Sequence, residues 1–314
     1  SDNIVNQFVE LDAPSWMTMN QTTGILSGVA PAYVGGAADT IVVNCKAGNA
    51  IGGSTEFSVT VTVTSYASSN TKSLQFTNGN STLLQGNPSN VTALQRVANG
   101  SGSSDAWSIS LWVYPSPNSN QETMFYYGGT DVANDGGMSI NQFSGGNMSF
   151  QFGENANKLA FFGVGTFPLN QWNHVLVTYS GAATGVDGAS LSAYLAAFNV
   201  YVNGSNAITN VSTIGNGYDG DVKAEQFKIG KYTTSSPQAF DGKVNQIAIW
   251  DTDESANIAA IYNSGATQDL SGLTSAPVHY YEIEDSETTV TDITGSANLV
   301  GYNFTASDLV TDTP

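Results

Sequence analysis

The chain has few of the residues on which several kinds of function depend. Its 314 residues include one cysteine, two histidines and eight lysines and arginines, against 26 aspartates and glutamates. A single cysteine, Cys45, forms no intrachain disulfide, and two histidines give zinc few ligands. At a net charge of −18 the chain also lacks the clustered cations that bind a phosphate backbone or an anionic membrane. We therefore expect no nucleic acid partner.

Long apolar runs are missing as well. No segment reaches the roughly 18–20 consecutive apolar residues of a transmembrane helix, so we expect no membrane insertion. Because the sequence starts at Ser1 without Met, we expect a processed or cut amino terminus.

Motifs of catalysis are scarce. The sequence contains no nucleophile elbow, no glycine-rich phosphate loop and no Cys/His pair. Glu282 and Glu284 have the spacing at which jelly-roll glycosidases place two acidic residues on one strand. Both lie in the C-terminal part of the chain and not on a central strand. We therefore predict that the protein is not an enzyme, and a glycosidase is the less favoured alternative.

Short alternating apolar segments are abundant, separated by Gly, Asn and Asp. Phe57–Thr64 and Trp107–Val113 alternate strictly, which predicts half-buried strands. Strands at such short intervals indicate an all-β sandwich or barrel. Further strands are predicted at 73–77, 122–127, 137–142, 147–152, 158–164, 174–179, 198–202, 226–229 and 243–250.

One helix is predicted near the end of the last long strand. Thr252 and Asp253 offer an N-cap, Ile258, Ile261 and Tyr262 repeat at helical spacing, and a glycine at 265 provides the stop.

Residues 1–65 form a first predicted unit, joined by a linker at 66–71 to a second unit at 72–314. Pro14, Trp16, the segment Thr23–Gly28 and the closing strand Phe57–Val63 follow a common pattern. It resembles the immunoglobulin-like, cadherin-like repeats of bacterial and viral surface proteins, which implies a small spacer sandwich. The first strand, Asn3–Val9, is shorter than in such repeats, so the unit is either truncated or completed by a neighbour.

The second unit has six motifs in a fixed order. They are Trp107–Val113, Trp172–Tyr179, Val200–Gly204, Lys228–Gly230, Phe240–Trp250 and Ala260–Gly265. In this order they resemble the concanavalin-A-like, laminin-G-like jelly-roll family over residues 72–314. The resemblance implies an all-β fold in which a small immunoglobulin-like sandwich precedes a jelly-roll β-sandwich with one short helix.

The end of the chain narrows the resemblance. Asp269–Ser271, Ala276–Tyr281 and Thr305–Pro314 are similar to the ends of such domains in structural proteins of marine bacteriophages. This implies a component of the virion surface, such as a capsid decoration, fibre or tail protein. Its expected partners are other virion proteins, further copies of itself and cell-surface glycans. The alternative is a secreted bacterial adhesin or polysaccharide-binding module, located outside the cell or on its surface.

Calcium is the one cofactor that we expect. Many laminin-G-like domains hold one Ca²⁺ at the rim of the sandwich, and two loops here are rich in acids. The candidate ligands are Asp131, Asp135, Asp219, Asp221 and Asp241. For each of them the alternative is a turn residue that caps its own backbone.

Aromatic residues near turns and strand ends are the candidate glycan platform. They are Tyr126, Tyr127, Tyr218 and Tyr232, and the alternative is packing within the sandwich or between subunits. Trp112 lies on the polar face of its strand, so it should face a second layer, an interface or a ligand.

Overall fold

The computed structural model describes most of the chain. The described residues are 7–14, 17–28, 39–48, 54–63, 70–95, 106–118, 120–129, 136–153, 159–181, 196–214, 222–232, 238–284 and 286–314. They fall into two compact units, Ser1–Ala67 and Ser68–Pro314. Within the described parts, no helix is both long and apolar enough to cross a membrane.

The first unit is small and built from strands. Its strands are β1 (Gln7–Glu10), β2 (Met17–Met19), β3 (Leu26–Gly28), β4 (Asp39–Gly48) and β5 (Ser54–Val63). β1, β4 and β5 form an antiparallel sheet, and β2 pairs with β3. Met17, Met19, Val43 and Cys45 are buried at its core. Phe57 was expected on the buried face of β5 but is 38% exposed.

The second unit contains two large sheets. Its strands are β6 (Ser73–Phe76), β7 (Leu83–Gly86), β8 (Trp107–Pro115), β9 (Glu122–Gly128), β10 (Gly137–Phe143), β11 (Asn147–Gly153), β12 (Leu159–Thr166), β13 (Asn173–Tyr179), β14 (Phe198–Val202), β15 (Ser205–Asn206), β16 (Asn210–Ile214), β17 (Gln226–Ile229), β18 (Gly242–Trp250), β19 (His279–Tyr281), β20 (Thr289–Val290), β21 (Leu299–Tyr302) and β22 (Leu309–Val310). The nine-stranded sheet has the order β16-β12-β11-β10-β9-β17-β7-β21-β20. The eight-stranded sheet has the order β15-β14-β13-β8-β18-β6-β22, with β19 also paired to β18.

The two sheets enclose one apolar core between them. On β8 the residues Trp107, Ile109, Leu111 and Val113 point into this core, as their alternation predicts. The facing side chains of the nine-stranded sheet include several phenylalanines, methionines and isoleucines. Both sheets contribute to a single buried cluster, which is the arrangement of a jelly-roll-like sandwich and confirms the predicted all-β fold class.

A short helix covers part of the outer face of the eight-stranded sheet. This helix, α1 (Ile258–Tyr262), is flanked on both sides by 3₁₀ turns. Its N-cap is Asn257 and not Thr252 or Asp253, and no side chain caps it. Asn263, in the left-handed conformation at φ 47°, ends it before the predicted glycine stop. The helix is predicted correctly, but its N-cap lies four residues after the expected Asp253 and its C-cap two residues before the expected glycine.

Candidate functional site

Part of the outer face of the eight-stranded sheet is apolar and covered. Leu176, Ala248, Trp250 and Tyr280 point outward from it and are buried. They pack with Ile261 of α1 and with other residues of the segment that follows β18. Because this surface is filled by the chain itself, it leaves little room for a ligand.

The outer face of the nine-stranded sheet is polar. Five neighbouring strands each contribute one outward side chain to a single row, which we name the polar row: Gln85, Lys228, Tyr126, Ser139 and Gln151. Each alternates with core residues of its own strand, so the whole row points away from the core. At a strand spacing of about 4.8 Å, the polar row extends roughly 19 Å across the sheet.

Hydrogen bonds hold parts of this face in place. Thr123 Oγ1 donates to Asn141 Oδ1 at 2.9 Å, and Asn141 Nδ2 donates to Ser139 Oγ at 2.8 Å. Tyr126 donates its hydroxyl proton to the carbonyl oxygen of Gly129 at 2.7 Å. These hydrogen bonds therefore fix the polar groups in position.

Two lysines stand out on this face. Lys228 and Lys231 are each only 4% exposed. Lys228 Nζ donates to Gln226 Oε1, and among the described residues no carboxylate pairs with either ammonium group. Burial lowers the pKa of Lys228, and the charge of Lys231 lowers it further. Within the part of the chain that the structure describes, these two buried ammonium groups have no carboxylate partner, although the net charge of the chain is −18.

The accessible part of this face lies at its margin. Gln85, Gln226 and Tyr232 are half-buried, whereas most of the polar row is nearly inaccessible. The ring of Tyr232 meets that of Tyr126 edge to face, with 4.7 Å between their centroids. A ligand approaching this face therefore meets Tyr232 and the two glutamines first.

The predicted aromatic platform needs correction. Tyr126 and Tyr127 are fully buried, and Trp112 is 2% exposed. Trp112 faces the second layer formed by α1, where its ring stacks on that of Tyr262 at 5.9 Å. None of these three rings offers an open face to a sugar. Tyr232 retains partial exposure, and Tyr218 lies outside the described residues.

Most of the predicted calcium ligands cannot be placed. Asp131, Asp135, Asp219 and Asp221 lie outside the described residues. Asp241 is described, and its backbone N–H donates to Glu122 Oε2 at 3.1 Å. Among the described residues no three His, Cys, Asp or Glu side chains form a group that could hold a metal. The acidic residue next to Asp241 is Glu122, which was not among the predicted ligands.

Glu122 lies at one end of the core, between the two sheets. It is 3% exposed and pairs across β9 and β10 with Gln142, which is fully buried. Burial raises the pKa of Glu122 to about 7, and the nearby Asp241 carboxylate adds to the rise. The backbone N–H of Asp241, which donates to Glu122, and the nearby polar side chains of Asn78 and Asn118 oppose this rise in pKa. Burial also raises the pKa of Asp241.

Glu122 and Gln142 were not predicted as site residues, because each lies at the end of a predicted strand and belongs to no motif. An available signal was the pairing of strands 122–127 and 137–142. If joined as a hairpin, these strands bring a glutamate opposite a glutamine.

A small pocket near the C terminus contains the two glutamates considered for glycoside hydrolysis. Its volume is about 150 Å³, and Glu282, Glu284, Thr289, Thr291 and Ile293 are among its lining residues. Both carboxylates already have partners. Glu282 accepts the hydroxyl proton of Tyr280 at 2.6 Å, and Glu284 binds the main chain at residues 71 and 72. These bonds favour a structural role for both.

We expect Glu284→Ala to lower the free energy of unfolding by about 1–3 kcal/mol, the effect of losing hydrogen bonds to a charged acceptor. The lost bonds are those from the backbone N–H groups of Thr71 and Lys72 and from the Thr71 hydroxyl. Urea unfolding measures the change. Glu287→Ala is the control, because no hydrogen bond to its side chain is found among the described residues. An unchanged stability, with loss of hydrolysis of a polysaccharide, would favour the glycosidase instead.

A comparison with protein families now identifies the fold. The family Laminin_G_3, described as the concanavalin A-like lectin/glucanases superfamily, matches residues 85–257, more than half of the chain. The chain belongs to this family. The match lies within the second unit and includes every residue of the polar row. No curated protein matches the laminin-G-like chain.

Solved structures offer remote likenesses. A suspected carbohydrate-binding protein of Bacteroides ovatus is 16% identical over 84% of this chain and 67% of its own, with a TM-score of 0.48. A heptameric SAP-like pentraxin of Limulus polyphemus is 15% identical over 74% and 94%, with a TM-score of 0.42. A sialidase of Trypanosoma rangeli is 14% identical over 51% and 23%, with a TM-score of 0.36.

Proposed function

We propose that the protein is a non-enzymatic adhesion protein whose laminin-G-like domain binds carbohydrate on the outer face of the nine-stranded sheet. The observation that carries this proposal is the polar row, which runs across five strands on an otherwise regular sandwich. Amide, hydroxyl and ammonium groups all exchange hydrogen bonds with sugar hydroxyls. Membership of a family of lectins and glucanases supports carbohydrate as the ligand.

The two buried lysines refine the class of sugar. Lys228 and Lys231 have no carboxylate partner among the described residues, and a neutral glycan would bring none to this region of low exposure. A carboxylated or sulfated sugar supplies the missing anion and forms charge-assisted hydrogen bonds. We therefore favour an acidic glycan as the ligand, with Tyr232 packing against an apolar face of a sugar ring.

The biological setting remains the one that the sequence resemblance implies. We propose that the protein is displayed on the surface of a bacteriophage particle, as a capsid decoration, fibre or tail component. The alternative is a secreted or surface-bound bacterial adhesin. In both settings the first unit would act as an immunoglobulin-like spacer, and several copies would assemble by symmetry. Detection of the protein by mass spectrometry of purified phage particles, and not in bacterial secretions, tests the first setting against the second.

Glycan binding is tested on an array that contains neutral and acidic polysaccharides. Wild type is expected to bind acidic members. Tyr232→Ala and Lys231→Met should each weaken binding by about tenfold, the effect of losing roughly 1.4 kcal/mol. Tyr114→Ala is the matched control, because Tyr114 is a half-buried tyrosine on the outer face of the other sheet. Retention of full binding by Tyr232→Ala and Lys231→Met would exclude this face as the site.

A further inference from the structure

β5 is an edge strand whose second side is open. It runs for ten residues and pairs along its whole length with β4. In the order β1-β4-β5, no described strand pairs with its other side, and residues 54–58 and 60 are exposed. Proteins usually block such an edge with lysine, proline or a bulge, because its unpaired backbone groups attract another strand. β5 contains neither residue, and its register with β4 is unbroken.

The backbone of β5 directs unpaired groups to this open side at every second residue. On β4, the carbonyl oxygen of Asn44 accepts a hydrogen bond from the N–H of Leu11, on the side away from β5. Because bonding positions alternate in an antiparallel pair, Ser58, which is opposite Asn44, turns its own N–H and C=O away from β4. The same holds for Glu56 and Thr60, two residues to either side. No described residue bonds any of these backbone groups.

The side chains of β5 continue the core face of the first unit without closing it. Phe57 and Val59 are opposite the buried Cys45 and Val43, so they share that face. Val59 and Val61 are only half-buried against the core, and Phe57 is 38% exposed. These three side chains form an apolar row at the open edge, which we name the edge row. A further strand beside β5 would pack against it.

We propose that β5 pairs antiparallel with β5 of a second copy of this chain, which joins two three-stranded sheets into one. The strand is complementary to itself, because its apolar residues alternate symmetrically about Val59. With the two strands centred there, Phe57 lies opposite Val61 of the second copy, so the two edge rows form one apolar surface. Ser58 lies opposite Thr60 of the second copy, and both direct their backbone groups across the seam. A two-fold interface of this kind closes on itself.

Charge favours a second copy in this orientation. The chain has a net charge of −18, so two copies repel each other over a long range. β5 has a single charged side chain, Glu56. Antiparallel pairing about Val59 separates the two Glu56 carboxylates by roughly 20 Å along the strands, more than the Debye length of about 8 Å at physiological ionic strength. Parallel pairing would instead place them side by side. Two copies can therefore meet at β5 without like charges in contact.

Sedimentation velocity of the full chain at about 1–100 μM tests the proposal, because an interface of this small size associates weakly. Wild type should pass from monomer to dimer within this range. Thr60→Pro removes an outward N–H without breaking a bond to β4, and proline is tolerated on the free side of an edge strand. It should weaken dimerisation by about tenfold or more, as should Phe57→Lys, which places a charge in the edge row. Val42→Lys, the same type of change at an exposed apolar residue on the other face of the sheet, should leave it unchanged.

Two results would overturn the proposal. A wild-type chain that remains monomeric at about 100 μM would show that β5 does not bind its own copy. A dimer that forms at wild-type strength in either Thr60→Pro or Phe57→Lys, once circular dichroism shows that the variant folds, would place the interface elsewhere. Phe57→Lys keeps the test decisive if Thr60→Pro does not fold, because it leaves the backbone hydrogen bonds between β4 and β5 in place.

Discussion

Replacing Trp107 by alanine is expected to lower the free energy of unfolding of the second unit by about 3–5 kcal/mol. Trp107 is 2% exposed and lies at the centre of an aromatic cluster in the core. Its ring is 5.8–6.5 Å from those of Phe150, Phe152, Tyr179 and Phe198, which come from both sheets. Truncation leaves a cavity that these rings cannot all move to fill. Urea unfolding followed by circular dichroism measures the loss.

Trp107→Phe is the matched control for this prediction. Phenylalanine retains much of the buried aromatic surface, and it removes the indole N–H, which has no hydrogen-bond partner in the described structure. We expect it to cost less than about 2 kcal/mol, because part of the lost packing is offset by removal of an unsatisfied donor. If Trp107→Ala and Trp107→Phe were equally stable, the aromatic cluster would not be the centre of the core.

Removing the carboxylate of Asp292 is expected to cost about 3–5 kcal/mol at neutral pH, because several buried donors lose their charged acceptor at about 1–3 kcal/mol each. Asp292 is 5% exposed, and its Oδ2 is 2.7 Å from Nδ1 of His279. It also accepts hydrogen bonds from the backbone N–H groups of Tyr280, Gly295 and Ala297 at 2.9–3.1 Å. Asp292→Ala leaves these donors without an acceptor, and thermal or urea unfolding records the loss.

The pH dependence of the free energy of unfolding separates the contribution of the Asp292 charge from that of its side-chain packing. Burial alone would raise the pKa of Asp292, but hydrogen bonds from His279 and the three backbone amides outweigh it, so the pKa is lowered from 3.8. Since the folded protein holds the ionised form more strongly, this stabilisation is complete above the unfolded pKa and is lost as the pH falls through the folded pKa. The difference between wild type and Asp292→Asn should therefore shrink below about pH 4. A difference independent of pH would show that the charge contributes nothing.

The strand pattern of the second unit could be predicted from its sequence. Phe198–Val202 and Gln226–Ile229 have the predicted ends, and β8 buries the predicted alternate residues. Burial between two sheets imposes a period of two on the sequence, so the signal is local and strong. Trp112 was expected to face a second layer, an interface or a ligand, and its ring lies against that of Tyr262 in α1.

The site could be predicted only in part. The position of Tyr126 near a turn predicts an exposed side chain. In the structure, strands on both sides of β9 and the ring of Tyr232 bury it. The polar row depends on the register of five strands that are far apart in sequence, and no local pattern specifies that register. The same holds for Glu122 and Gln142, whose pairing includes an irregularity in register between β9 and β10.

A crystal structure of the full chain with an acidic oligosaccharide that it binds tests the central claim most directly. We predict that the sugar lies on the outer face of the nine-stranded sheet, with a ring against Tyr232, hydrogen bonds to Gln85 or Gln226 and an anionic group directed toward Lys228 and Lys231. A sugar bound in the pocket of Glu282 and Glu284, or on the face covered by α1, would contradict this account.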